Sequence, residues 1–263
     1  MKQVNWYQIF GNAHTIPDGS TVTPTDDVQI LLNCANIWNK AYTTIAELLA
    51  DTDSLLVVID DNNAIDYLVR STTFASAVTA DSTAMTDIGL NNYASNTLLA
   101  DSTWCTAICN STYFESVLNV KVPTMTSNTT PEGEVIRSSV WNSTFEGYCA
   151  FDNNASTLWQ TVNGGNVGQY IGYKFVSANK IFLVKGREDT TSPRIAKYKI
   201  QGSNDGFVND THDLTEEIAN PTRDIACTIA SDNSYSAYRL YITAVNANSP
   251  TAQSLQFYGR EDV

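Results

Sequence analysis

Two hydrophobic periods divide the chain. In the first half, apolar residues recur three or four positions apart, as in helices that bury one face. One such run starts at the candidate N-cap Thr25 and predicts a helix with the apolar positions Ile30, Leu31, Cys34, Ile37, Trp38 and Tyr42. Further helices are predicted over Thr44–Leu49 and Ala64–Arg70. This pattern predicts a helical region that extends to about residue 120.

A short internal repeat occupies residues 71–119. Its units are Ser71–Asp81, Ser82–Asn92, Tyr93–Asp101, Ser102–Asn110 and Ser111–Asn119. Four of the five units begin with Ser-Thr, which can cap a helix, and Asp or Asn follows the apolar stripe. Helices this short are marginally stable alone, so they must stack on neighbours. The repeat fits a compact structural spacer, and it also fits an ordinary all-α domain whose repeat reflects capping chemistry.

In the second half the hydrophobic period becomes two. Ile171, Tyr173 and Phe175 share one face of a predicted strand, as do Tyr198 and Ile200 of another. The runs KIFLVKG, YRLYITAV and SLQFYG predict three more strands, separated by turns rich in Gly, Asn and Ser. Short half-buried strands in this arrangement are typical of an antiparallel β-sandwich.

The patterns predict an α + β multidomain chain with four segments. Residues 1–24 mix aromatic residues with turn formers, which indicates an N-terminal anchoring arm that docks on a neighbouring subunit or an edge hairpin of its own domain. Residues 25–120 form the short-helix repeat domain, and residues 121–136, rich in Pro, Thr and Asn, form a linker. Residues 137–263 form the β-sandwich.

The second half also resembles a known family. The string AFDNNASTLWQ (Ala150–Gln160), followed by IGYKF, YKIQGSNDG, YRLYI and a terminal LQFYG, resembles the discoidin family, also called factor five/eight type C. That family includes the family 32 carbohydrate-binding modules. The resemblance covers about Ser138–Arg260 and implies a galactose-binding-like jelly-roll sandwich that binds glycans, or in some members proteins or lipid headgroups, through loops at one end.

The same resemblance implies a structural calcium ion at AFDNNAST. Asp152, Asn154 and Thr157 match the positions of the ligands, and Ca²⁺ takes six to eight oxygen ligands. The last strand of the family supplies an acidic residue, whereas Ser254 stands there in this chain, with Gln256 nearby. The alternative is an Asx-rich turn held by its own hydrogen bonds.

Glycan sites of such modules place an aromatic face against the sugar ring and polar side chains on its hydroxyls. The candidates in the predicted loops are Trp141, Phe145, Arg187, Tyr235 and Asn246. For each of these residues the alternative is a partly buried aromatic ring or a solvated polar group. Trp159 matches a core position of the family and is not a candidate.

The first half carries a second resemblance. The string NAIDYLVRST (Asn63–Thr72), followed by short helices that begin with Ser or Thr, resembles a module of tailed-bacteriophage virion proteins, including head-fibre and tail-appendage proteins. The resemblance covers about Thr25–Asn119 and implies a scaffold rather than an activity.

Composition and charge restrict the partners. The net charge of −13 argues against nucleic acid, because phosphate binding needs clustered Lys and Arg. The five cysteines include no C-x-x-C pair and follow no regular spacing, so they are interpreted as small buried apolar residues. No segment has the length of apolar sequence that membrane insertion requires, and the N-terminus has no secretory signal, so we expect assembly in the host cytoplasm.

Catalytic motifs are also missing from the sequence. The two histidines, His14 and His212, lie in no metalloprotease motif and beside no motif nucleophile, and no phosphate-binding or dinucleotide fingerprint occurs. The sequence therefore favours a non-enzymatic virion protein, a head fibre or capsid decoration, that contacts other virion proteins through its N-terminal region and glycans through its sandwich. A homo-oligomer, assumed to be a trimer, fits such an appendage. The alternative is a tail or collar component whose sandwich binds proteins and no glycan.

Overall fold

The computed structural model describes residues 14–15, 21–22, 50–60, 62–70, 72–188, 194–230 and 233–261. The chain divides into two compact units, residues 1–117 and 118–263. In the arm, His14–Thr15 (β1) pairs antiparallel with Thr21–Val22 (β2). The helices predicted from Thr25 and over Thr44–Leu49 lie outside the described residues, as does Cys34.

The described part of the first unit consists of short helices that start ten residues apart. They are α1 (Thr52–Asp60), α2 (Asn62–Leu68), α3 (Thr72–Val78), α4 (Ser82–Leu90), α5 (Asn92–Ala100) and α6 (Ser102–Asn110), followed by a 3₁₀ turn at Phe114–Ser116. The spacing is uniform, whereas the predicted units varied in length. The repeat also begins before Ser71, because α1 and α2 already follow it.

The helices α4, α5 and α6 are capped by Asp or Asn rather than by Ser or Thr. The carboxylate of Asp81 accepts hydrogen bonds from the backbone N–H groups of Thr83 (2.9 Å) and Ala84 (2.8 Å). Asn91 ends α4 and caps α5. The caps predicted at Ser82 and Ser102 are therefore wrong by one position, because Asp81 and Asp101 satisfy the free N–H groups of the first turn. Ser111, by contrast, does accept a backbone N–H through its Oγ, that of Tyr113 (3.0 Å).

Each helix packs against the third helix after it. The pairs are α1 with α4, α2 with α5, and α3 with α6. Polar groups join successive turns in the same register: Asn91 Nδ2 donates to the carbonyl of Ile59 (3.0 Å), and Ser111 Oγ donates to that of Thr79 (2.5 Å). Three helices thus make one turn of a solenoid, which buries the apolar stripes of helices too short to be stable alone.

The second unit is built of antiparallel strands. The described strands are β3 (Val120–Lys121), β4 (Glu134–Arg137), β5 (Trp159–Gln160), β6 (Tyr170–Arg187), β7 (Ile195–Ser203), β8 (His212–Asp213), β9 (Ile218–Ala219), β10 (Asp224–Thr228), β11 (Tyr235–Val245) and β12 (Thr251–Glu261). The predicted strands QYIGYKF and KIFLVKG are the two halves of β6.

The strands form the two layers of a sandwich, and the long strand β6 belongs to both of them. Its first half pairs with β4 and β11, and β11 continues to β7, which carries β8 and β9. Its second half pairs with β10 and β12, and β12 carries β3 and β5. The inward side chains form one core, whose largest fully buried members are Trp159, Tyr173, Tyr198, Tyr238, Phe151 and Phe257. The predicted antiparallel β-sandwich is confirmed.

Residues 121–136 are part of the sandwich and not a linker. Val122 and Met125 are buried in the core, and the Met125 N–H donates to the carbonyl of Phe151 (3.0 Å). β3 pairs with β12 and β4 pairs with β6. The polar, Pro-containing composition predicted a loop, but the two apolar side chains meet core residues that lie far away in sequence.

We expect Asp101→Ala to lower the free energy of unfolding by about 1 kcal/mol, the usual loss of an N-cap. Asp101 accepts from the N–H groups of Thr103 (2.9 Å) and Trp104 (3.0 Å), and alanine leaves both without an acceptor. Urea titrations followed by helical circular dichroism measure the change. Asp101→Asn keeps the acceptor and is the matched control, and an alanine variant as stable as the asparagine variant would contradict the capping role.

Candidate functional site

Several loops meet at one end of the sandwich. The register pairs Tyr170 with Tyr241, Ile195 with Val245, and Gln253 with Arg187, so the segments that flank these residues lie at a common end. We call the surface formed by residues 138–145, 161–168 and 246–250 the loop end.

Hydrogen bonds fasten the segments of the loop end to one another. The N–H of Val162 donates to Ser139 Oγ (3.2 Å), which joins the first segment to the second. Ser249 joins the second to the third, because its N–H donates to the carbonyl of Gly165 (2.8 Å) and its Oγ accepts from the N–H of Gly164 (3.2 Å). The loop end is therefore a single surface.

Trp141 and Phe145 form an aromatic pair on this surface. Their ring centroids lie 6.0 Å apart with an interplanar angle of 34°. Trp141 is 45% exposed, and the Trp141 N–H donates to the carbonyl of Gln160 (2.9 Å). The N–H of Phe145 donates to the carbonyl of Asn142 (3.0 Å), so both backbones are held while the indole faces solvent. Trp141 is the most exposed tryptophan, tyrosine or phenylalanine of the described part of the chain.

Other apolar side chains extend this patch. Val162 and Val167 are 45% and 55% exposed and lie on the segment that is bonded to Ser139 and Ser249. The sequence-based candidates did not include these two valines. A loop valine is common in any sequence, and only the folded chain brings it to the same surface as Trp141.

Arg187 and Asn246 lie at the same end of the sandwich. Arg187 is exposed at the end of β6, where it pairs with Asp224 and Gln253. Asn246 is exposed just after β11, and its N–H donates to the carbonyl of Arg194 (2.7 Å). The structure therefore groups four of the five glycan candidates at one end, with a direct ring contact between Trp141 and Phe145.

The prediction of Tyr235 as an exposed glycan contact is wrong. It is 5% exposed and opens β11 at the opposite end, where it pairs with Asn179. Its ring packs edge-on against Tyr238 at 5.9 Å and lies 5.2 Å from the ring of His212. The strand pairing draws this ring into the core, although the sequence around it is that of a turn.

The predicted calcium ligands form a turn closed by their own hydrogen bonds. Asp152 Oδ1 accepts from the N–H of Asn154 (3.0 Å), and Thr157 Oγ1 donates to Asp152 Oδ2 (2.6 Å). Asn154 Oδ1 accepts from the N–H of Ser156 (2.9 Å). Asp152 is the one carboxylate among the three predicted ligands, so the donor set offers a divalent cation little charge. In the described part of the chain, no group of three His, Cys, Asp or Glu side chains could hold a metal ion.

The last strand reaches this turn through Gln253 and not through Ser254. The pairing of β12 with β6 shifts its register between Gln253 and Gln256, and Ser254 adopts a φ of 48°. A bulge of this kind changes the direction in which neighbouring side chains point. The resemblance to the family pointed to Ser254, with Gln256 nearby, and not to Gln253, because a register shift leaves no mark in the local sequence pattern.

A buried carboxylate, Glu188, lies behind the loop end. It is fully buried and accepts from the N–H groups of Arg194 (2.9 Å) and Ile195 (3.1 Å) and from Asn220 Nδ2 (3.0 Å). Burial raises the pKa of Glu188 to about 7, although these donors favour the charged form. No motif marks Glu188 in the sequence, because its partners come from separate segments.

The four described cysteines form no disulfide. Cys105, Cys109 and Cys149 are buried free thiols and Cys227 is half-buried. Over the described residues, no helix combines the length and the apolar character that a membrane crossing requires.

We expect Glu188 to make the stability of the sandwich depend on pH. Its pKa is raised from 4.5 to about 7, so its contribution to the free energy of unfolding is complete below about pH 4.5 and is lost as the pH rises through 7. At 1.36 kcal/mol per pKa unit, the loss is on the order of 3 kcal/mol. Glu188→Gln keeps the size of the side chain without the charge. Denaturant titrations of both proteins at about pH 5 and about pH 8 measure the difference. A difference that does not change with pH would contradict this expectation.

Known proteins give the following comparison. No protein-family model and no curated protein matches the chain. Chitosan-binding module 1 of a chitosanase/glucanase from Paenibacillus sp. IK-5 is 20% identical, with a TM-score of 0.43 over 52% of this chain and 100% of that chain. The family 32 carbohydrate-binding module of NanJ from C. perfringens, solved with galactose, is 16% identical, with a TM-score of 0.42 over 53% and 99%. A factor five/eight type C domain from Bacteroides fragilis is 10% identical, with a TM-score of 0.42 over 49% and 92%. The chain is thus similar to carbohydrate-binding and discoidin domains over about half of its length.

Proposed function

We propose that this chain is a non-enzymatic binding protein whose sandwich holds a glycan on the loop end, at Trp141 and Phe145. The observation that carries the proposal is the exposed indole of Trp141, which is 45% accessible and 6.0 Å from the ring of Phe145. The largest aromatic rings of the core, by contrast, are fully buried, among them Trp159, Tyr173, Tyr198 and Tyr238.

The chemistry of the pair suits a sugar ring. The apolar C–H face of a pyranose packs against an aromatic face, and nearby polar groups bond to its hydroxyls. Asn142 lies between the two aromatic residues and is exposed, with its Oδ1 accepting from the N–H of Thr144 (2.8 Å). That bond leaves the amide N–H₂ of Asn142 to donate, and the exposed Arg187 adds a donor at the same end.

The negative net charge of the chain favours some classes of glycan over others. A net charge of −13 disfavours polyanions, which bind to clusters of Lys and Arg through counterion release. We therefore expect neutral or amino sugars rather than sulfated or phosphorylated polymers.

The helical unit supports a role in display. Its stacked short helices form a compact body without a catalytic motif, and its sequence resembles the virion module described above. We place the chain on a phage particle as a head fibre or capsid decoration, anchored through its N-terminal region and assembled in the host cytoplasm. A homo-oligomer, assumed to be a trimer, would sum weak glycan contacts through multivalency.

One observation favours a second candidate. Trp141, Val162 and Val167 form an exposed apolar patch, and such patches also mark protein interfaces. In that case the chain is a tail or collar component, and its loop end binds a virion protein and no glycan.

We expect Trp141→Ala to weaken glycan binding at least tenfold, which corresponds to roughly 1.4 kcal/mol of lost stacking. The measurement is binding of the full chain to an array of neutral and amino-sugar oligosaccharides, followed by calorimetry with the best binder. Tyr113→Ala removes a comparably exposed ring (39%) from the helical unit and is the matched control. An array without any binder, read with a multivalent form of the chain, would favour the second candidate.

We expect the chain to be a component of purified phage particles, because the helical unit resembles virion modules. Mass spectrometry of particles purified by density gradient from a host lysate that contains the chain tests this. Recovery of the chain in the soluble fraction alone, with none in the particles, would contradict the virion role and would leave the glycan measurement unaffected.

A further inference from the structure

Gln253 occupies the centre of the turn at Asp152–Thr157. Its side chain is buried, and its Nε2 donates to two backbone carbonyls, those of Ala155 and of Thr157 (3.3 Å). Carbonyl oxygens only accept hydrogen bonds, so the nitrogen of the amide, and not its oxygen, must face them. The amide therefore gathers two carbonyl oxygens around one positively polarised group.

The oxygens around this amide are of the kind that a hard cation binds. Besides the two carbonyls, Thr157 Oγ1 and the carboxylate of Asp152 belong to the same turn and lie 2.6 Å apart. Ca²⁺ takes carbonyl, hydroxyl and carboxylate oxygens together. Here a neutral N–H₂ group faces the two carbonyls, and both oxygens of the Asp152 carboxylate already accept hydrogen bonds within the turn.

We propose that Gln253 replaces a divalent cation in this chain, so that the turn is closed by an amide and is independent of calcium. The neutral amide satisfies the two carbonyls without the second carboxylate that a divalent charge would need. The turn that supports β5 is thereby built from the chain's own groups, whatever the calcium concentration around it.

The substitution Gln253→Glu tests the proposal, because glutamate has the same shape and length. It places a carboxylate oxygen against the carbonyls of Ala155 and Thr157, where the amide nitrogen now donates. Without a cation these oxygens repel one another, and with Ca²⁺ they become ligands beside Asp152. Gln256→Glu adds the same charge to β12 opposite Lys185 and is the matched control.

The measurement is the melting temperature of the full-length proteins in EDTA and in millimolar CaCl₂. We expect the wild-type value to be unchanged by calcium. The Gln253→Glu value should fall by roughly 5 °C in EDTA and recover in calcium. Gln256→Glu should show no difference between the two conditions.

Calorimetric titration with CaCl₂ provides a second readout if Gln253→Glu does not fold in EDTA. Both proteins are first freed of metal and of chelator. Added CaCl₂ should then give the heat of binding and coupled folding with Gln253→Glu, and no heat with wild type. A wild-type melting temperature that rises with calcium, or wild-type binding heat, would overturn the proposal. A Gln253→Glu protein that neither binds calcium nor recovers in it would overturn it as well.

Discussion

The sandwich depends on a buried asparagine at the bend of its longest strand. Asn179 lies where β6 leaves one sheet and enters the other, and it pairs with Tyr235 of β11 and with Glu261 of β12. The bend interrupts the regular ladder, so its backbone groups need other partners. The hydroxyl of Tyr238 donates to the Asn179 carbonyl, and Asn179 Nδ2 donates to the carbonyl of Ser177 (2.9 Å). These bonds let one strand serve two layers and enclose a single core.

The same use of buried polar groups shapes the loop end. Glu188, Ser249 and Gln253 are buried. Ser249 and Gln253 bond to the backbone of segments far away in sequence, and the Glu188 carboxylate accepts from the side-chain amide of Asn220. Such bonds fix irregular loops where no ladder can, because an unsatisfied buried backbone group is costly. The aromatic pair can then face solvent on a rigid support. The buried polar groups hold the loops in place, so the exposed rings need not pack into the core and remain available for a ligand.

In the helical unit, the short length of each helix limits the stability that the helix has on its own. A helix of seven to nine residues forms too few internal hydrogen bonds to be stable alone, so each depends on the helix three units away. Asn91 shows how closely the units are joined, since it ends one helix, caps the next and donates to the carbonyl of Ile59 in the turn below. A ten-residue unit leaves room for little except a cap, an apolar stripe and a break, which explains the simple composition of the repeat.

The sequence by itself determined the features that depend on near neighbours. Alternation at Ile171, Tyr173 and Phe175 predicted strands that bury one face, because side chains of a strand alternate between two faces. The repeated Asp, Ser and Thr residues predicted short helices, although the caps of α4 and α6 were placed one position too late. Trp141 and Phe145 were selected as aromatic residues of a loop, and they do lie together.

Only the tertiary structure decided where distant segments meet. Tyr235 lies in a turn-like sequence but is buried, and Val122 and Met125 lie in a polar segment but enter the core. Gln253 reaches the turn at Asp152–Thr157 because a register shift in β12 redirects its side chain. Burial, register and the partners of buried polar groups depend on contacts between residues tens of positions apart. Local periodicity carries no information about such contacts, because the same short pattern is compatible with either outcome.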